Sequence, residues 1–462
     1  MSVFKHLVRF GTHAEKKYFK EFHNTYDVIV VNANILAHTT DSMCSFLGCE
    51  LSKKFLIDPQ TYAFQSYSHL LQSSKGKSKN VELEVKKSVK NLLEKYGNSI
   101  KTIIVDKKRS IKSSDFQNEE GKLFLEEFCE NVINFQLTTV KNESTENSDY
   151  GEYIEYELES QNCSLNLEPF VLIEPYFYMT ENTLPNWIEH NINAVKICKE
   201  KFKDKEIYAQ IVIDKDILLE NELVQKLIDN YSSSTADGFF IWIDGFDEKT
   251  ISYKYLDNFI NLLKGLKEKT EKCIYQIYGS YLSTMLTKDC LTGVCHGMEY
   301  GETRDVYPVG GGVPVSKFYL PSIHKRLLYR DVLDVLLTKN WLENKEIYFD
   351  NVCKCKTCQE VIVDDPNINF AAYGNVKTTT FKRKSGDKEH SVTMDYPTTD
   401  AKDLCLRHYL HNKEKEFKNV ENNDFNKLKE QLEQAHTELS DILGDDLDYL
   451  LTWIKILDKL AS

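Results

Sequence analysis

The strongest constraint on this chain is a series of short, continuously apolar runs bounded by polar residues: 27–32, 55–58, 102–106, 170–174, 207–214, 239–244, 274–279 and, less sharply, 291–296. Unbroken apolarity over so few residues, rather than alternation, marks strands buried on both faces. Helical patterns lie between the later runs, at 187–202, 220–231, 253–266 and 280–286. Strand alternating with helix predicts a parallel sheet, and about eight repeats closing on themselves predict an α/β fold, the (β/α)8 TIM barrel. In that fold the C-terminal ends of the strands carry the functional site. Five runs end in a carboxylate: Asp58, Asp106, Glu174, Asp214 and Asp244. Any one of these reads first as a turn residue or helix cap. Five on one rim would form an acidic mouth suited to cations, polar bases or sugars, with carboxyl pKa values raised by crowding and burial.

Two stretches fit the repeat poorly. Residues 1–25 alternate charge with aromatics and read as a short helix or arm. Residues 107–165 hold a helical pattern at 123–135 followed by a polar, acidic segment, and read as an insertion.

Beyond the barrel lies Cys353-Lys-Cys355-Lys-Thr-Cys358, close behind a candidate strand at 347–349. Three thiols within six residues suit tetrahedral zinc, with a fourth ligand supplied from elsewhere. Cys405, His408 and His411 sit in what reads as a helix start, and His436 lies late in a second helical run at 425–439. Residues 359–403, rich in Asp, Thr and Lys, form a second insertion with a hairpin signal at 384–387. The last helix, 447–460, has a broad apolar face that would pack on the barrel or form a dimer interface.

The net charge of −13 argues against a uniformly basic nucleic-acid-coating surface, though local basic runs at 75–79, 107–109, 324–326 and 382–384 leave room for a groove. Twelve scattered cysteines, no secretory signal and no membrane-spanning apolar run point to a reducing, cytoplasmic location. No Walker, nicotinamide or haem signature is present. The glycine-rich run at 307–314 could bring backbone close to a sugar-phosphate or form a tight turn.

The thiol cluster, the helix with Arg407-His-Tyr-Leu-His411 and the later histidine together resemble the zinc subdomain of tRNA-guanine transglycosylases. Asp58 with Phe64-Gln65 is similar to that family's strand ending in an acid/base aspartate, with Pro-Gln-Thr-Tyr-Ala in place of Ser-Gly-Gly. Glu174 stands where the family has a base-recognising aspartate, and Gly245 closes a run resembling its glycine-rich strand end. The resemblance implies structural zinc on Cys353, Cys355, Cys358 and His436, while Cys405, His408 and His411 stay open as alternatives. It also implies a barrel at 1–345, a zinc subdomain at 346–462, and base exchange at a nucleic-acid sugar.

The family's nucleophilic aspartate has no counterpart at the matched place. Glu299, Asp305 or Asp244 would replace it beside Asp58. Glu174, Gln210, Gly245, Gly279 and His296 are the substrate-binding candidates, although His296 also reads as a packed strand residue. The divergent Asp58-Pro motif and the insertions look more like the branch that inserts 7-deazaguanines into DNA. The expected partners are therefore DNA rather than tRNA, a modified guanine-type base, and a second copy or companion subunit, with no membrane. The rival expectation is a catalytically silent transglycosylase-like subunit. A metal-dependent hydrolase is disfavoured because the rim lacks histidines.

Overall fold

The computed structural model describes residues 4–51, 53–73, 84–146, 167–298, 301–307, 315–385 and 388–461. The basic run at 75–79, the polar stretch from 147, Glu299 and the glycines at 310–312 lie outside the described residues. The chain forms two compact units, Met1–Pro308 and Val309–Ser462, so the division falls ahead of the 345/346 boundary expected from sequence.

The first unit is an eight-stranded, all-parallel, nearly closed barrel surrounded by helices. Its strands are β1 (His6–Phe10), β2 (Val28–Asn32), β3 (Lys54–Asp58), β4 (Leu172–Ile173), β5 (Ile207–Asp214), β6 (Gly238–Asp244), β7 (Cys273–Ile277) and β8 (Gly293–Gly297). They pair in the order β3-β2-β1-β8-β7-β6-β5-β4, which is chain order read around a ring opened between β3 and β4. A backbone hydrogen bond, Phe170 N–H to Phe55 C=O at 2.9 Å, spans the opening. Side chains finish the closure. Gln136, from the helix Glu119–Glu146, takes both the N–H and the C=O of Ile173 (3.0 and 2.7 Å), which accounts for so short a β4. Above it, the Thr61 hydroxyl serves both backbone groups of Tyr176, and the Gln65 amide serves both of Tyr178.

Alternate strand residues fill the interior, among them Leu7, Val30, Leu56, Ile173, Val212, Trp242, Ile277 and Cys295. Their neighbours meet the helices, so the strands are apolar throughout. The helices Leu184–Lys201, Asn221–Ser232, Tyr253–Thr270 and Tyr281–Leu286 follow β4 to β7 as expected.

Two expectations need correction. The arm predicted at the N-terminus contains β1, which pairs with β2 and β8. Its His6 and Arg9 broke the apolar pattern, yet both are buried against tertiary partners. The run at 102–106 is instead a helical turn continuing Asn98–Lys101, with Ile103 and Ile104 buried. A short apolar run cannot by itself separate a buried strand from a buried turn of helix. The helix Glu119–Glu146 is accordingly part of the barrel's wall, since it supplies Gln136.

In the second unit, β9 (Lys317–Leu320) and β10 (Lys325–Leu328) form an antiparallel pair. Residues 347–349, expected as a strand, lie in the helix Lys345–Asn351, whose first turn is capped by the Asn344 side chain. The helix Thr399–Asn422 is pinned by Glu416, which accepts from Tyr319 and from His324 Nδ1 (2.6 Å) and pairs with Lys413 (2.6 Å). Although burial opposes its charge, Lys413 and His324 hold the Glu416 carboxyl down at about 2. Leu450, Trp453, Ile456 and Leu457 of the last helix, Asp448–Ala461, are buried, so most of its apolar face is already covered within the chain.

Candidate functional site

Cys353, Cys355, Cys358 and His408 are buried with their ligand atoms within 4.8 Å of one another, the arrangement of a metal-holding group. The thiols lie on the turn into the helix Lys356–Val361, which Cys355 caps: Cys353 Sγ accepts the Cys355 N–H at 3.3 Å, and Cys355 Sγ accepts the Cys358 N–H at 3.4 Å. Such bonds favour thiolates. His408 Nε2 meets the Tyr319 carbonyl at 2.7 Å and must donate there, so Nδ1 is the ring atom turned to the thiols, 3.2 Å from Cys358 Sγ and 3.4 Å from Cys355 Sγ. Phe318 stacks on the imidazole at 4.1 Å.

The fourth member is thus His408 and not His436, which sits half-buried on the helix Phe425–Leu443 outside the group. Cys405 instead donates to the Tyr373 carbonyl at 3.5 Å, and His411 lies one turn beyond His408 on the same helix. The reason is the course of the intervening chain. β11 (Val376–Ser385) and β12 (Lys388–Pro397) run out and back as a hairpin, and Thr398 N–H meets Asn375 C=O at 2.9 Å at its root. The insertion therefore costs no distance, and Thr399–Asn422 starts beside the thiols.

At the C-terminal end of the barrel, Asp58 is only 1% exposed. It accepts from Arg9 at 2.9 Å, from the Tyr176 hydroxyl at 2.6 Å and from Gln60 N–H at 3.0 Å. Arg9 also donates to Asn32 and lies over the Tyr278 ring at 4.8 Å. Asp58 is therefore the partner of a buried cation.

A second constellation lies at the ends of β5 and β6, where Asp214 and Asp244 are register partners. Backbone bonds join Met179 to Val212 and Asp214, while Asn191 holds Phe177 by both its N–H and C=O. These contacts fix Tyr178, whose hydroxyl lies 2.7 Å from Asp244 and 3.0 Å from Asp214. The Val306 N–H gives Asp244 a further bond at 2.7 Å. Burial, together with the charges of Asp214 and Asp305, lifts the Asp244 carboxyl above its usual range. Arg304 and Val306 cover the interior: Trp242 Nε1 donates to Arg304 C=O at 2.9 Å, Arg304 donates to the Tyr278 hydroxyl at 3.0 Å, and Val306 joins the interior cluster. A group shared between two carboxylates, with one of them biased towards its protonated form, can move a proton.

The other predicted residues are dispersed. Glu174 is fully buried, and its carboxyl, which burial pushes well up, accepts the Gln210 N–H at 3.0 Å. Its charge bears on Cys198 and Tyr231 of the outer helices, so it faces away from the interior that Ile173 enters. Gln210 is fully buried on the same side of β5 as Tyr208 and Val212, below the mouth, and its side-chain amide has no hydrogen-bond partner. Gly245 holds φ at +66°, the turn that follows Asp244. Gly279 N–H extends the sheet to Cys295 C=O at 3.0 Å. His296 meets His6 Nε2 to Nε2 at 2.7 Å, on the opposite side of β8 from Cys295 and thus away from the interior. Asp305 is exposed near Asp244, and Glu299 lies outside the described residues. Sequence reasoning passed over Tyr178, Arg9, Tyr176 and Arg304. Asp214 carried the same strand-end signal as Asp244; the others had no local signal of their own.

The sequence matches no protein-family model and no curated protein.

Proposed function

We propose that this protein is a nucleic-acid base transglycosylase that exchanges guanine for a 7-deazaguanine-type base, in DNA rather than tRNA. The observation that carries the reading is the Asp214–Tyr178–Asp244 constellation at the barrel mouth. Two carboxylates share one hydroxyl at 2.7 and 3.0 Å, so their nearest oxygens are at most about 5.7 Å apart, close enough for a retaining-type glycoside-cleaving pair. In this reading Asp214 attacks the sugar carbon as the N-glycosidic bond breaks, and protonated Asp244 gives its proton to the departing base. The incoming base then displaces Asp214 and returns a proton to Asp244. Asp58 becomes a positioning residue that anchors Arg9. The Cys3His group is read as structural zinc, because four protein ligands leave no open position.

A single incorporation assay tests both carboxylates. Incorporation of labelled guanine or 7-deazaguanine into single-stranded DNA, duplex DNA and tRNA is expected in DNA. It is expected to be lost in Asp214→Asn and Asp244→Asn, and to fall as pH rises through the lifted Asp244 value. Undiminished incorporation by both variants would sink this assignment.

A second reading, the catalytically silent subunit, draws support from the Arg304–Val306 cover and from the fully engaged Asp58. It predicts nucleic-acid binding without incorporation into any of the three substrates.

A further inference from the structure

The hairpin β11–β12 has no use in the site described above. Its ten register pairs run from Val376↔Pro397 to Ser385↔Lys388, a ribbon of about 30 Å at the usual rise per residue. No residue at 376–382 or 389–396 is buried. Both faces of a two-stranded ribbon are thus open, and such a ribbon is at best marginal on its own. Cross-strand bonds stiffen it: Thr378 to Asp395 at 2.6 Å, Thr380 with Thr393 at 3.0 Å, and Lys382 to Glu389 at 3.0 Å. Because the root is closed by Thr398 and Asn375, the metal group and the helix Thr399–Asn422 need nothing from the ribbon beyond that point.

Its composition is distinct from the rest of the chain. Lys377, Lys382, Arg383, Lys384 and Lys388 stand against Asp387, Glu389 and Asp395, a basic excess within a chain of net charge −13. Four of the five cations and His390 cluster in the distal half. The register also sorts the faces. Phe381 with Val392, Met394 opposite Thr379, and Tyr396 opposite Lys377 share one side, half-exposed, while Thr378, Thr380 and Lys382 share the other.

From this geometry we infer that the hairpin is a duplex-DNA-docking ribbon that enters the major groove. The inference rests on the nucleic-acid reading of the barrel and deepens it. The major groove of B-form DNA, about 12 Å wide, admits a two-stranded β-ribbon, whereas the narrow major groove of A-form RNA does not. Distal cations meet phosphates, and an apolar side with methyl and aromatic groups suits base-edge contact. The basic excess complements the phosphates that flank the groove, and the ribbon's width fits the groove itself.

The test uses the full chain and labelled duplexes of about 20 base pairs, titrated between about 50 and 200 mM salt. One variant replaces Lys382, Arg383, Lys384 and Lys388 with Gln; a second joins Val376 to Pro397 through Asn-Gly. The wild type is expected to bind duplex DNA at least tenfold tighter than the matched RNA duplex. Both variants are expected to lose at least tenfold, with the logarithmic salt slope of the Gln variant shallower by about three to four, at unchanged metal content and melting. Equal binding by wild type and variants, or equal binding of the RNA duplex, would overturn the inference. So would a loss that tracks disrupted self-association in sedimentation, which would make the ribbon a contact between copies. Label exchange into a single-stranded oligodeoxynucleotide reports on the barrel alone. Ribbon-dependent duplex binding without any exchange would leave the ribbon standing and remove the base-exchange reading; exchange with ribbon-independent binding would do the reverse.

Discussion

Asp58→Ala removes the carboxylate from a buried ion pair and leaves the Arg9 guanidinium charged inside the barrel. The pair spans 2.9 Å, with side chains 5% and 1% exposed. Breaking such a pair by deleting one partner costs about 3–5 kcal/mol, because the surviving charge keeps its desolvation penalty. The Tyr176 hydroxyl and the Gln60 N–H lose their acceptor as well, which adds about 1 kcal/mol or more. At roughly 2–3 °C per kcal/mol for a unit of this size, the melting temperature should fall by roughly 8–18 °C. Differential scanning calorimetry of the full chain at neutral pH measures this directly. The double variant Arg9→Met, Asp58→Leu should recover most of the loss, since an apolar pair of similar volume replaces a buried ion pair at little or no cost. An Asp58→Ala protein that melts within about 2 °C of wild type would refute the ion-pair reasoning and return Asp58 to the chemistry. The same holds for a double variant no more stable than the single one.

On the structural-metal reading, replacing His408 with Ala should lower the metal content found by elemental analysis and unfold the Val309–Ser462 unit, because binding free energy of a structural metal is folding free energy. His436→Ala should keep both metal and melting temperature. On the proposed base-exchange reading, Tyr178→Phe should slow exchange about a hundredfold, the lower end of what positioned proton transfer contributes, without loss of fold in far-ultraviolet circular dichroism. Glu416→Gln should destabilise by about 3 kcal/mol at neutral pH, as it strands buried Lys413. Because the Glu416 value is depressed to about 2, its stabilisation is present above the usual 4.5 and lost as pH falls towards 2. Chemical denaturation across that window should therefore show the gap between wild type and variant closing with acid, and a gap independent of pH would contradict the assignment.

Polar contacts at the roots account for how two long excursions are tolerated. The chain between β3 and β4 returns through Gln136 to the seam it has to close. The chain between Cys358 and His408 returns through the Asn375–Thr398 bond. In both places a few polar contacts at the root replace the geometry that a short connection would have imposed, consistent with the slow growth of closure entropy with loop length.

What the sequence determined by itself was local. Continuous apolarity specified seven of the eight barrel strands, β2 to β8. Spacing at three and four residues specified the helices that follow β4 to β7, and three thiols in six residues specified a turn able to hold a metal. The turn chemistry at 384–387 specified a hairpin whose described strands flank it. Tertiary structure decided the rest, because it depends on which distant groups meet. His6 and Arg9 sit in a strand because His296 on the adjacent β8 and Asp58 on β3 supply their partners. Thr102–Asp106 coils because eight strands are complete without it. His408 rather than His436 reaches the thiols because a hairpin folds back on itself. Glu174 and Asp244 carry the same signal in sequence, a carboxylate at the end of an apolar run. One faces the helices, where burial pushes its carboxyl well up, the other faces the mouth beside Tyr178, and the direction in which each strand's side chains alternate is set by its neighbours.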